Sequence, residues 1–157
     1  MIVSMLRWQQ KCGVALYWVT WPGLWLYLRS SQRTRVLVVS GQQVLLVKTW
    51  LGDGKWSLPG GGLHQHEDSQ QGARRELLEE TTLAVPVANF QFIDHRQANN
   101  HGLVFAFDLF VVEVSALLPV ARQPREIVAI GWYDHRQLSD EEVAPDARDA
   151  LRTWFKK

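Results

Sequence analysis

Residues 56–83 read WSLPGGGLHQHEDSQQGARRELLEETTL, a glycine-rich turn followed by a stretch dense in glutamate. From Asp68 to about Thr81 the apolar residues recur at helical spacing, charged residues lie between them and no proline occurs, which predicts an α-helix. Glu76, Glu79 and Glu80 then stand at i, i+3 and i+4. Their three carboxylates therefore project from one face of that helix.

Carboxylates this close together repel one another unless a cation lies among them. Ligands that are all oxygen favour a hard ion, Mg²⁺ or Mn²⁺, over zinc. The preceding turn, residues 59–62, is Pro-Gly-Gly-Gly, so its backbone can approach a metal ion and phosphate groups closely. A solvated helix face is the alternative interpretation for an isolated glutamate cluster. The stretch as a whole predicts a site where a divalent cation meets a diphosphate.

The spacing of the stretch resembles the Nudix box of MutT-like hydrolases, which runs here from Gly61 to Leu83. The matching positions are Gly61, Glu67, Arg75, Glu76, Glu79 and Glu80. One defining position differs, because Thr82 stands where the pattern has its second glycine. His64 stands where an acidic residue is frequent, and His66 where a glycine is frequent. Agreement of many identities at set offsets makes this a specific motif.

The threonine at position 82 bears on the end of the predicted helix. A glycine at this point usually closes a helix in the left-handed conformation, which costs a β-branched residue about 1 kcal/mol or more. We therefore expect the helix to end differently here, without an effect on the metal ligands. The two histidines are expected to alter the loop conformation and the metal affinity.

The resemblance implies an α/β fold, a Nudix-type α/β/α sandwich with a mixed β-sheet, over residues 33–157. The predicted elements that follow or precede the box are strands at 35–39, 44–47, 103–114 and 126–127 with 131–134, and a last helix at 146–155. Residues 1–32 are expected to form an additional apolar, basic-flanked helical segment at the N-terminus.

The same resemblance implies a hydrolase that cleaves the diphosphate linkage of a nucleoside diphosphate joined to another moiety, by attack of water at phosphorus. The implied cofactor is Mg²⁺, with Mn²⁺ as the alternative. The implied metal ligands are the Gly60 carbonyl, Glu76, Glu79 and Glu80; the catalytic residues are Arg75, Glu76, Glu79 and Glu126; the supporting residues are Glu67 and Gly61. Glu126 is the candidate general base because it follows the loop 123–125. An exposed carboxylate at the end of a strand is the alternative.

Other side chains are weaker candidates for contact with a substrate. His95, Asn100 and His101 surround a polar loop, and inert exposed side chains are the alternative. Trp50 and Trp56 are candidates for stacking on a base, with packing in the core as the alternative. The box indicates diphosphate and metal, so it leaves the rest of the substrate open.

The first third of the chain differs in character from the rest. Through residue 52 there are six basic residues and no acid, whereas the remainder holds eleven basic and sixteen acidic residues. Residues 12–28 carry no charge and include three tryptophans. Their length is at the lower limit of a membrane span, and Pro22 and Gly23 interrupt them. We expect a packed or self-associating helix, with an interfacial anchor or a true span as the alternatives.

Length and composition indicate one domain with enough core to fold alone. The single cysteine, Cys12, allows no intramolecular disulfide and is compatible with a reducing compartment, so a cytoplasmic location is expected. The expected partner is a small nucleotide. No nucleic acid is expected, membrane contact is not favoured, and a homodimer is compatible with the apolar segment. A catalytically silent Nudix-fold module that binds nucleotides or protein, with or without membrane attachment through residues 12–28, is the alternative function.

Overall fold

The structure is a computed structural model that describes residues 16, 20, 32–50, 53–100, 103–123 and 126–156. Its elements are β1 (Arg33–Ser40), β2 (Gln43–Thr49), α1 (Ser69–Thr81), β3 (Gln91–Asn100), β4 (Leu103–Glu113), β5 (Ile127–Asp134) and α2 (Pro145–Phe155). Two 3-10 turns lie at Val87–Asn89 and His135–Gln137. The predicted helix of the box is α1, and the predicted last helix is α2.

The five strands form one mixed sheet in the order β3-β4-β1-β2-β5. Strands β1 and β4 are parallel, and the other neighbouring strands are antiparallel. Strands β1 and β2 pair beside their connecting turn, at Val39 with Val44 and Ser40 with Gln43. Farther from that turn, the segment 57–62 lies between these two strands. The glycine-rich turn is therefore part of the centre of the sheet.

Each face of the sheet is covered by one helix. The core on the α1 side includes Val36, Val38, Leu45, Ala73, Leu77 and Phe110. The core on the α2 side includes Leu37, Val39, Leu46, Leu109, Ala147 and Leu151. Consecutive residues of β1 enter opposite cores, which is why this central strand is apolar without alternation. The predicted α/β/α sandwich with a mixed sheet is confirmed.

The predicted N-terminal helical segment lies almost entirely outside the described residues. Leu16 and Thr20 are described and helical, and the Thr20 hydroxyl donates to the Leu16 carbonyl at 2.8 Å. Among the residues that the structure describes, no helix is long and apolar enough to cross a membrane. The boundary at residues 32 and 33, the role of residues 12–28 and the homodimer stay predictions.

Helix α1 has well-defined caps at both ends. The Asp68 side chain accepts from the backbone N–H groups of Gln70 and Gln71, as expected of an N-cap. At the other end Thr82 adopts the left-handed conformation with φ of 60°, and its N–H donates to the Leu78 carbonyl at 2.9 Å. The expectation that the helix ends differently is wrong, because the threonine takes the conformation that a glycine would take.

His66 stands at another position where the family pattern often has a glycine, and it also adopts the left-handed conformation. His66 has φ of 62°, and within the described ranges it and Thr82 are the non-glycine residues with positive φ. The Thr82 hydroxyl accepts from the Ala121 N–H at 3.2 Å, and that N–H also donates to the Thr81 carbonyl at 3.1 Å. The backbone of the box therefore keeps its shape at both positions despite the side chains there.

Thr82→Gly is expected to raise the free energy of unfolding by about 1 kcal/mol, because it removes the strain of a β-branched residue in the left-handed conformation. For a domain of this size the thermal midpoint should rise by about 2–4 °C. The Ala121 N–H keeps its bond to the Thr81 carbonyl. Thr153→Gly in α2 is the matched control and should destabilise by about 0.3 kcal/mol. Equal destabilisation by both substitutions, measured by calorimetry, would contradict this account.

Candidate active site

The glycine-rich turn lies against β1 through backbone hydrogen bonds. The Thr34 N–H donates to the Gly61 carbonyl and the Val36 N–H to the Pro59 carbonyl, both at 2.9 Å. Gly60 has φ of 138°, and a Cβ there would lie 2.2 Å from the Thr34 carbonyl oxygen. A side chain at position 60 is therefore excluded by both conformation and space.

Two of the box glutamates meet this turn. The Glu80 Oε2 atom accepts from the Gly60 N–H at 2.9 Å. The Glu76 carboxylate is so close to Gly61 that a Cβ there would lie 2.6 Å from it. Glu79 is turned outward, with 55% of its side chain exposed, against 13% for Glu76. Of the three carboxylates on this helical face, those of Glu76 and Glu80 therefore lie against the turn, and that of Glu79 points towards solvent.

Glu80 is almost completely buried, with 6% of its surface exposed. Burial raises the pKa of the Glu80 carboxyl to about 8, and the negative charges of Glu76 and Glu126 act in the same direction. The Gly60 N–H and the positive charge of Arg35 oppose that rise. A buried carboxyl in this setting gains from any further positive charge that comes close to it.

Arg75 organises the acidic side of the site. Its Nε and Nη2 atoms donate to the two carboxylate oxygens of Glu67, each at 2.8 Å. Its Nη1 atom donates to Glu76 at 2.8 Å and more weakly to Glu79 at 3.4 Å, and Nη2 also donates to the Gly62 carbonyl at 3.1 Å. One planar guanidinium thus holds three carboxylates and the turn in a fixed relation.

The donor chemistry of this cluster fits a divalent cation. The carboxylates of Glu76, Glu79 and Glu80 and the Gly60 carbonyl supply only hard oxygen atoms. Within the described part of the chain, no three His, Cys, Asp or Glu side chains are already gathered as a group that could hold a metal ion. In the structure, Arg75 donates to Glu76 and Glu79, and Glu80 accepts from the Gly60 N–H.

A partly buried arginine that the sequence analysis did not place in the site lies on the other side of the turn. The Arg35 Nη1 atom donates to the Gly60 carbonyl at 2.5 Å. Its Nε atom donates to Asp146 Oδ2 at 2.8 Å, and the side chains of Arg35 and Asp146 are only 12% and 5% exposed. The signal in the sequence was a charged residue at the start of an apolar strand. Its partner is 111 residues away, so no local pattern pointed to it.

Comparison with known proteins identifies the family. The sequence model of the family described as NUDIX domain matches residues 30–154. The chain belongs to this family. It is a Nudix hydrolase, and the expectation from the box is confirmed. No curated protein matches the chain.

Solved structures share the fold at low sequence identity. A MutT NUDIX hydrolase from Burkholderia pseudomallei is 19% identical with a TM-score of 0.69, over 79% of this chain and 97% of that one. The NUDIX domain of Shewanella oneidensis NrtR, complexed with ADP ribose, is 19% identical with a TM-score of 0.65, over 80% and 86%. A bifunctional NMN adenylyltransferase/ADP ribose pyrophosphatase from Francisella tularensis, complexed with AMP and a Mn ion, is 18% identical with a TM-score of 0.67, over 91% and 47%.

Glu126, the predicted general base, lies directly before β5 and is exposed. Its backbone carbonyl accepts from the Trp50 N–H at 2.9 Å. The adjacent loop is tied to the Nudix helix, because the Gln123 N–H donates to the Glu80 carbonyl at 3.3 Å. The charge of Glu126 acts on the Glu80 carboxyl. The fold therefore brings Glu126 towards the Nudix carboxylates, and its role as base stays a prediction.

The weaker candidates fall into two groups. The His95 ring contacts Asp108 at 2.7 Å, and the other oxygen of Asp108 accepts from the Ser69 hydroxyl at 2.5 Å. Trp56 packs against the core, with its ring centroid 4.5 Å from that of Tyr133. The contacts of Trp56 therefore favour packing in the core over stacking on a base. His101 lies outside the described residues, and so does the side chain of Asn100.

Gly60→Ala and Gly61→Ala are expected to differ sharply in their effects. The first places a Cβ against backbone atoms of β1, so we expect a loss of at least about 3 kcal/mol in the free energy of unfolding. The second meets only the flexible end of Glu76, so the thermal midpoint should stay within a few degrees while Mn²⁺ affinity falls by roughly tenfold. Denaturant unfolding and metal titration separate the two. Equal stability losses would contradict the proposed packing of the turn.

The ion pair of Glu67 and Arg75 is expected to make stability depend on pH. The two bonds from Arg75 lower the pKa of Glu67 from 4.5 to about 2. Because the folded-state pKa is the lower one, the stabilisation is complete above about pH 4.5 and is lost as the pH falls towards 2.

Urea unfolding of the wild type and Glu67→Gln should therefore differ by about 2 kcal/mol at pH 7 and by less than half of that at pH 3. Glu141→Gln, at an exposed position of the same chain, should show no such change between the two pH values. If the difference in the free energy of unfolding between the wild type and Glu67→Gln did not change with pH, the ion pair of Glu67 and Arg75 would not be the cause of the pH dependence.

Proposed function

We propose that this Nudix hydrolase cleaves the diphosphate linkage of a nucleoside diphosphate joined to another moiety, with Mg²⁺ as cofactor and Mn²⁺ as an effective substitute. The observation that supports this most is the convergence of Glu76 and Glu80 on the glycine-rich turn, with Arg75 holding the neighbouring carboxylates. Such an arrangement concentrates negative charge beside a backbone segment whose glycines carry no side chains. It is suited to a cation that bridges protein and diphosphate.

The residues that would hold the ion are Glu76, Glu79, Glu80 and the carbonyl of Gly60. When bound, the ion neutralises charge on the diphosphate and makes water a stronger nucleophile. Arg75 contributes by keeping Glu76 next to Gly61, since its guanidinium is itself fixed by both oxygens of Glu67. The carboxylates are thus pre-organised before any ligand arrives.

Glu126 is proposed as the group that takes the proton from the attacking water. It is exposed and precedes β5, so it is free to approach a water molecule near the Nudix carboxylates. In the step, the water oxygen forms a bond to phosphorus, the bridging P–O bond breaks, and the proton passes to the Glu126 carboxylate. Water supplies the new oxygen on the attacked phosphorus, and the bridging oxygen leaves with the other half of the substrate, which is a phosphate monoester, orthophosphate or pyrophosphate according to the substrate.

The substrate class is proposed from the ligands of two similar structures. The Shewanella oneidensis domain was crystallised with ADP ribose, and the Francisella tularensis enzyme with AMP and a Mn ion. Each ligand carries a nucleoside with phosphate, and one carries a diphosphate linkage. These similarities support a small nucleotide as substrate and Mn²⁺ as a usable ion, and nucleic acid is not expected.

The direct test is hydrolysis of a panel of nucleotides by the full chain with Mg²⁺, with release of pyrophosphate and orthophosphate as the readout. The panel includes nucleoside triphosphates, oxidised nucleoside triphosphates, nucleoside diphosphate sugars with ADP ribose, and dinucleoside polyphosphates. Glu80→Gln should lower kcat/KM on the best substrate by at least about 100-fold, equivalent to about 2.7 kcal/mol. Glu141→Gln is the matched control and should retain full activity.

Two outcomes would oppose the proposal. Turnover that survives in Glu80→Gln would place the chemistry elsewhere. A folded wild type that binds Mg²⁺ but hydrolyses no member of the panel would favour the catalytically silent binding module.

A further inference from the structure

Arg35 occupies the carbonyl oxygen that the proposed metal site needs. Its Nη1 atom donates to the Gly60 carbonyl at 2.5 Å, and the same carbonyl is a proposed ligand of the divalent cation. We propose that Arg35 competes with the divalent cation for this oxygen, so that it lowers the affinity of the site for a free metal ion. This inference rests on the proposed function.

The guanidinium is held in this position by partly buried contacts. Its Nε atom donates to Asp146 at the start of α2, and its Cζ atom lies 5.7 Å from the centroid of the Phe105 ring. With 12% of its side chain exposed, Arg35 has little room to swing into solvent. The Gly60 carbonyl therefore already accepts a hydrogen bond, from a donor that is itself held in place.

Charge opposes the binding of a metal ion and the Arg35 guanidinium to the same oxygen. A carbonyl has two lone pairs, so an N–H donor and a metal ion can in principle share it. The guanidinium is permanently charged, however, and a Mg²⁺ at its usual distance of about 2.1 Å from the oxygen would lie within roughly 5 Å of Nη1. Two cations at that separation in a partly buried site repel each other strongly. A metal ion at this carbonyl must therefore displace Nη1, or bind despite the repulsion from the guanidinium charge.

The same glycine also contacts the buried glutamate. The Arg35 guanidinium donates to the Gly60 carbonyl, and Glu80 accepts from the N–H of the same residue. Arg35 and the deepest carboxylate thus both bind the backbone of one glycine. The positive charge of Arg35 therefore replaces part of the charge that a bound cation would bring.

The test is a Mn²⁺ titration of the full chain, with the electron paramagnetic resonance signal of free Mn²⁺ as the readout. Arg35→Met combined with Asp146→Leu replaces the buried pair by apolar side chains of similar size, an exchange that folded proteins often tolerate. The variant keeps the net charge of the wild type. We expect it to bind Mn²⁺ at least about tenfold more tightly, because the competing donor is gone.

Two controls identify the site and the cause. Glu80→Gln should weaken Mn²⁺ binding, which assigns the measured site to the Nudix carboxylates. Arg74→Ala removes an exposed positive charge from the same helix and should change the affinity by less than about threefold. If the apolar pair does not fold, judged by circular dichroism, Arg35→Gln with Asp146→Asn keeps a neutral hydrogen-bonded pair and carries the same expectation.

The outcomes separate this inference from the proposed function. A wild type that binds no Mn²⁺ through Glu80 contradicts the proposed function, and the inference falls with it. A wild type that binds Mn²⁺ while the Arg35 variants bind it equally or more weakly contradicts the inference alone. Weaker binding would mean that Arg35 positions the carbonyl for the metal. If Arg74→Ala increased the Mn²⁺ affinity equally, the effect would come from the loss of any nearby positive charge and not from the loss of the Arg35 donor.

Discussion

The close approach of the glycine-rich turn to β1 is the constraint on which the rest of the site depends. Backbone hydrogen bonds from Thr34 and Val36 hold the turn in the sheet, and Gly60 is in contact with β1 at a distance that excludes a Cβ. Gly60 then presents its N–H to Glu80 and its carbonyl to Arg35. A backbone packed in a sheet is rigid, so both contacts are made from a fixed point.

The second constraint is the balance of charge around that fixed point. Burial and neighbouring carboxylates make an ionised Glu80 costly, while Arg75 and Arg35 supply positive charge on two sides of the turn. Arg75 donates to carboxylates, whereas Arg35 donates to a carbonyl. The two arginines therefore affect the binding of a cation in different ways. Arg75 holds proposed metal ligands in place, and Arg35 occupies another proposed ligand, the Gly60 carbonyl. A site of this kind is organised without a ligand and is sensitive to the arrival of one.

The departures from the family pattern are instructive about what the glycines do. Thr82 and His66 both adopt positive φ, so the backbone shape of the box survives the loss of glycine at these points. The packing of Ala73 and Leu77 in the core on the α1 side and the cap at Asp68 hold the helix in place, so the tertiary structure overrides a local preference of about 1 kcal/mol. Sequence reasoning identified the strain correctly and its resolution incorrectly. Local conformational cost alone does not decide how a helix ends.

The sequence by itself determined the helix, the apolar strands and the shared face of Glu76, Glu79 and Glu80, because these follow from the periodicity of regular structure over a few residues. The family resemblance extended this to the sandwich fold. Only the tertiary structure decided that Arg35 meets Gly60 and Asp146, and that Glu126 comes towards Glu80. These contacts join residues far apart in the chain, and their geometry depends on sheet register and helix packing. No local spacing encodes it.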